Sequence, residues 1–159
     1  MSLDSTTEVL QAVRTRLLTF TPASGSTLAT LLGTHAGAGS DGKLYLYQAP
    51  DNVTHPYGVL RVIGRDPDGD DGQFLKKPLL ELHFYHRPRA QQAACEALAD
   101  RAEEAWTHWL SSSDVISARG VESRATITYD DPADRELVCV RMLLKARVAP
   151  DFLTRYAET

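Results

Sequence analysis

The sequence has almost no cysteine: Cys95 and Cys139 are the only two in 159 residues. Neither has a CxxC partner, which leaves no zinc-finger or dithiol redox motif. Cys95 is expected in a helix and Cys139 in a strand, both as small buried thiols. No apolar run approaches the length that spans a bilayer, and no basic-then-apolar leader opens the sequence. A reducing, soluble compartment is expected. Positive charge is short as well. Seventeen Lys and Arg against 21 Asp and Glu leave a net charge of -4, which argues against a nucleic-acid footprint. Catalytic signatures are missing: there is no Gly-x-Ser-x-Gly elbow, and the glycines of 37–42 lack the lysine and strand-to-helix setting of a phosphate loop. No cofactor and no enzymatic activity are expected.

What is present suits one folded domain over 1–159. The chain is 43% apolar and 24% charged, too hydrophobic for wholesale disorder. Residues 5–20 read as a helix, with Ser5 and Glu8 at capping-box spacing and Val9, Leu10, Val13 and Leu17 as its apolar stripe. A short helix is expected over 27–32, capped by Ser24 or Ser26 and ended by Gly33, with Leu28, Leu31 and Leu32 buried. Strands are expected over 44–47, 57–63 and 79–85. In the third, Leu80, Leu82 and Phe84 face one way, and Leu79, Glu81, His83 and Tyr85 the other. A long helix follows over 89–110, with Ala94, Leu98, Ala102, Ala105 and Trp109 inward and Ala97 alongside. Its acidic ladder, from Glu96 to Glu104, reads as a solvated face. Strands over 121–129 and 136–148 form a long antiparallel hairpin, the second needing a bend or bulge. Segments 34–42, 64–77 and 111–120 are expected to be flexible. The order predicts an α+β fold: a mixed or antiparallel sheet of about five strands, packed by two main helices with a short extra helix.

The segment 66–72 carries Asp66, Asp68, Asp70 and Asp71, alternating carboxylates of the kind a hard cation takes. The EF-hand pattern fails, because its sixth and twelfth places hold Asp71 and Lys77. An acidic solvent loop is the plainer reading. His83 and His86 fall on opposite faces of a strand, while Glu81 and His83 share one, so no metal site is expected. The tyrosines are more informative. Strand aromatics serve packing or a subunit interface. Together with sheet edges near 44–47 and 137–148, they give a candidate interface of Leu44, Tyr45, Tyr47, Tyr57, Tyr85, Leu137, Val138 and Val140.

The order and spacing of these segments resemble the tail-completion or tail-terminator proteins of long-tailed phages and prophages. The resembling features are the opening helix, Leu28-Ala29-Thr30-Leu31-Leu32-Gly33, Gly42-Lys43-Leu44-Tyr45 with Ala49-Pro50, and Pro56-Tyr57-Gly58-Val59-Leu60. The helix after His86 and the late strand to Val148 complete the pattern. The spacer 33–43, the acidic loop after Gly64 and the link 111–120 depart from it. The resemblance implies a ring-forming structural protein, typically a hexamer, that caps the tail tube and faces the neck. Its partners would be tail-tube and neck or connector proteins, with no specific nucleic acid and no membrane. Its place would be the host cytoplasm during assembly and then the virion tail or neck. Asp66, Asp68, Asp70 and Asp71 would contact the tube or line the lumen. A head–tail connector component and a small-molecule or peptide-binding module are the competing readings.

Overall fold

The computed structural model describes residues 6–34, 42–65, 77–109 and 116–148. The first helix, α1, is Thr6–Thr19 and buries Val9, Leu10, Val13 and Leu17. Ser5 of the expected capping box lies outside the described residues. The short α2 is Leu28–Leu32, and its cap is Thr27, not Ser24 or Ser26. The Thr27 hydroxyl accepts from the Thr30 N–H at 3.2 Å. Gly33 ends the helix at φ 74, a conformation that favours glycine. So short a helix presents a narrow face, which Leu28 and Leu32 fill one turn apart; Leu31 stays 38% exposed.

The strands are β1 (Leu44–Leu46), β2 (Tyr57–Arg65), β3 (Pro78–His86), β4 (Ile116–Thr128) and β5 (Val138–Val148). They form one sheet in the order β1-β2-β3-β5-β4. β1 runs parallel to β2 and every other pair is antiparallel, so the sheet is mixed. With the helices this makes the α+β fold expected from the sequence. β4 begins at Ile116, well before the expected 121. Gly120, which reads as a breaker, sits at φ 122 beside a register shift inside the strand. β4 spends 13 residues against the 11 of β5, and its two register shifts absorb the excess. The irregularity expected in β5 is therefore on β4.

A 3-10 turn over Arg89–Gln91 leads into α3, Gln92–Thr107. Its inward side is Cys95, Leu98, Ala99, Ala102, Ala105 and Trp106, with Trp109 just beyond. Ala97 is exposed, one position off that side. The alanines let α3 lie close to the sheet. The Trp106 indole donates to the Gly120 carbonyl at 3.0 Å, pinning the helix to the irregular part of β4. The acidic ladder is not wholly solvated: Arg124 on β4 bonds Asp100 at 2.7 Å and the Glu96 carbonyl at 3.0 Å.

The helices α1, α2 and α3 belong to one core with Leu44, Leu60, Leu80, Leu82, Phe84, Val138, Val140, Met142 and Leu144. These strand residues point to a single side, so the helices cover one face of the sheet. Gly58 lies in the tightest part of that face. A Cβ there would meet Leu44 Cδ1 at 2.9 Å and the Phe84 ring at 3.0 Å. Both thiols are free and buried. Burial pushes the Cys95 thiol to about 11 and the Cys139 thiol to about 12.

Leu98→Ala should lower the unfolding free energy by about 2–5 kcal/mol in a urea titration. Gly58→Ala should cost about 1–3 kcal/mol through overpacking. The native protein should resist thiol alkylation near neutral pH, and both cysteines should react once urea unfolds it. Fast labelling of either thiol in the native state would contradict the packing described.

Candidate functional site

The second face of the sheet carries the side chains that alternate with the core. Tyr57, Val59 and Arg61 come from β2, Glu81, His83 and Tyr85 from β3, and Cys139, Arg141 and Leu143 from β5. The register sets Tyr57 beside Tyr85 and Cys139, and Arg61 beside Glu81 and Leu143. Among the described residues, no helix packs on this side. Instead the connection 47–56, which joins the parallel β1 and β2, rises over it and walls a cavity of about 490 Å³. The floor is Tyr57, Val59, Arg61, His83 and Tyr85; the wall runs from Tyr47 to Val53 with His55.

The floor is an aromatic ladder. Tyr57 and Tyr85 stack with centroids 5.1 Å apart, His55 lies 5.3 Å from Tyr57, and His83 lies 5.7 Å from Tyr85. Tyr47 stands at the rim, 49% exposed, its hydroxyl 2.8 Å from that of Thr7.

One end of the floor is electrostatic. The Glu81 side chain is only 5% exposed. Arg61 Nε donates to Oε1 at 2.7 Å with Nη2 beside it at 2.5 Å. Arg141 Nε and Nη2 both lie 2.9 Å from Oε2. A buried carboxylate is costly alone, and two-nitrogen arginine pairs are the strong remedy. Burial by itself would raise the Glu81 carboxyl, but the Arg61 and Arg141 bonds outweigh it and hold it below its ordinary value. His83 Nε2 lies 3.1 Å from Glu81 Oε1, and its Nδ1 shares a hydrogen bond with the Tyr85 hydroxyl at 2.8 Å. Burial, with Arg61 and Arg141 nearby, pushes His83 down despite the attraction of Glu81.

The residues singled out from the sequence divide clearly. Tyr47, Tyr57 and Tyr85 come together at this cavity. Leu44, Val138 and Val140 are fully buried under the helices and offer no surface. Tyr45 is half-buried, with its hydroxyl enclosed beside α1, where Gln11, Arg14 and Leu46 line a separate hollow of about 450 Å³. Leu137 is half-buried just before β5, its N–H donating to the Asp134 carbonyl at 2.8 Å. β5 is interior to the sheet, so the edge expected at 137–148 belongs to β4. At the other edge, β1 is already occupied. The Leu44 carbonyl accepts from Arg14 Nε at 2.5 Å and the Leu46 carbonyl from the Gln48 N–H at 2.8 Å. Asp66, Asp68, Asp70 and Asp71 lie outside the described residues. Sequence reasoning missed Arg61, Arg141 and His55. Arg61 and Arg141 break apolar strands at positions whose partner appears only once register is known.

No family model matches the chain, and no curated protein matches it. Among solved structures the fold is similar to a chain in the virion of a native gene transfer agent (GTA) particle. That likeness has 15% identity and a TM-score of 0.58, and covers 91% of this chain and 98% of the other. The bacteriophage SPP1 gp17 protein is also 15% identical, over 89% of this chain and 94% of its own, at a TM-score of 0.46. The first likeness shows the fold. No helix among the described residues is long and apolar enough to cross a membrane.

Glu81→Gln should destabilise the protein by about 1–3 kcal/mol near pH 7. That is less than for a fully buried pair, because Arg61 and Arg141 are half exposed. Folded Glu81 binds its proton less tightly than the unfolded chain. Its stabilisation is therefore present above its ordinary 4.5 and lost as pH falls through the lower folded value. The same sign holds for His83 below its ordinary 6.5. Unfolding free energies of the wild type should decline in two stages on acidification, and Glu81→Gln should lack the lower one. Parallel pH curves for the two proteins would refute this.

Proposed function

We propose that this chain is a structural tail-completion or terminator protein of a phage or prophage. Copies assemble as a ring that caps the tail tube and joins it to the neck. It acts by contact, with no turnover, in the host cytoplasm during assembly and then in the virion tail or neck. The observation that carries the reading is the likeness of fold to a virion chain, which extends over nearly the whole of both chains. Fold alone does not assign function, but the open face is consistent with it. A sheet covered by helices on one side offers the other to neighbours, and its floor is rich in tyrosine and arginine, residues that anchor interfaces.

A ring needs two different, complementary patches on each subunit. The cavity over Tyr57 and Tyr85 supplies one. β4 supplies a free edge for strand addition: among the described residues its outer side meets no other strand. A connector role differs only in the partner bound. A peptide-binding module is the second reading, favoured by the cavity itself.

Purified protein mixed with uncapped tail tubes should give ring-shaped density at one tube end by electron microscopy. Mass measurement should show a defined oligomer there. Protein that stays off the tubes at every concentration would overturn the proposal.

A further inference from the structure

Glu81, His83 and Tyr85 form a chain of polar groups that ends at the cavity floor. Glu81 is held as a carboxylate by Arg61 and Arg141, so it can only accept. His83 Nε2 lies 3.1 Å from Glu81 Oε1. A bare nitrogen there would set its lone pair against the oxygen, so Nε2 carries the ring proton. Burial and the two arginines keep the ring neutral, which leaves Nδ1 bare. The Tyr85 hydroxyl, 2.8 Å from Nδ1, must then donate to it. What Tyr85 has left for the cavity is lone pairs alone. Arg61, on the same floor and 52% exposed, can only donate. Net charge favours neither sign of ligand: Glu81 and the wall residue Asp51 balance Arg61 and Arg141. Tyr47 at the rim adds a separate observation. It sits at φ 68, rare for a bulky residue, with its ring 49% exposed. Its N–H donates to the Leu60 carbonyl at 3.0 Å, and its hydroxyl meets that of Thr7. A strained backbone that holds an aromatic ring out at a cavity mouth points to contact there.

We propose that this cavity binds an extended, uncharged segment of a partner protein, whose backbone donates an N–H to the Tyr85 hydroxyl and accepts at a carbonyl from Arg61. A peptide backbone carries both groups on every residue except proline. Its planar units and proline rings suit the flat Tyr57–Tyr85 stack. A carboxylate brings acceptors alone and would set lone pairs against the Tyr85 oxygen. His83 is the positioning residue, because it decides which way the Tyr85 proton points. The choice of a protein partner rests on the contact function proposed above; the polarity of the cavity does not.

The test titrates three probes into the folded full chain, followed by NMR. The first is a capped, uncharged hexapeptide of alternating alanine and proline. The second is its twin methylated on the alanine nitrogens, which has no backbone N–H between its caps. The third is acetate. The first should bind at millimolar concentration and shift the ring signals of Tyr57, Tyr85 and His83. The methylated twin should bind about tenfold more weakly, and acetate should leave these signals unmoved. Tyr85→Phe removes the acceptor, so it should weaken the first probe about tenfold and leave the twin unchanged. Tyr47→Ala, at an exposed rim position, should weaken both peptides and keeps the test valid if Tyr85→Phe misfolds. Nitrogen-15 shifts should place the His83 proton on Nε2. A proton on Nδ1, equal binding of the two peptides, acetate binding at Tyr85, or no peptide binding at millimolar concentration would each overturn the proposal. Peptide binding without ring formation on tubes would sink the capping role and leave this site standing. Rings without peptide binding would sink this site alone.

Discussion

The structure depends on one-sided burial of the sheet. Leu60, Leu80, Leu82, Phe84, Val140, Met142 and Leu144 send their side chains beneath α1, α2 and α3 and are removed from water. At roughly 25 cal/mol per Å² of apolar area, that layer is the main favourable term available to a chain of this size. Alternation then forces a second set of side chains to the other face, which no helix covers among the described residues. The tight approach at Gly58 and the alanines of α3 are consequences of this layer: they let helix and sheet meet at interior density.

The uncovered face shows how a buried charge can shape a surface. Glu81 is enclosed on a central strand, and two arginines from the flanking strands make that tolerable. Their cost is repaid in position, because long flexible side chains become fixed donors beside an aromatic floor. The connection from β1 to β2 turns that floor into a cavity. Meanwhile the β1 edge satisfies its own carbonyls through Arg14 and Gln48. That leaves the open face and the β4 edge as the surfaces proposed for contact.

Much of the fold was legible in the sequence because apolar periodicity is a local signal. The stripe of α1, the two faces of β3 and the antiparallel pairing of the last two strands follow from spacing alone. Helix ends and the start of β4 did not, since Gly120 reads as a breaker when it is the conformation a bulge requires. Of the eight candidate interface residues, three come together at the cavity: Tyr57 and Tyr85 stack as strand aromatics often do, with Tyr47 at the rim, but Leu44, Val138 and Val140 are core. Strand order, which no spacing reveals, puts β5 inside the sheet and not at an edge. The Glu81 cluster was hidden for the same reason. Arg61, Glu81 and Arg141 are far apart in sequence and adjacent only through register.

The central claim is that the open face is where this protein meets its neighbours. Side-chain footprinting of the free protein and of the protein on tail tubes tests it most directly. The account expects Tyr47 to label readily and the half-buried Tyr57 and Tyr85 measurably in the free protein, and all three to be protected on assembly, while exposed residues of α3 such as Ala97 and Thr107 change little. Assembly that leaves the three tyrosines as reactive as before would contradict it.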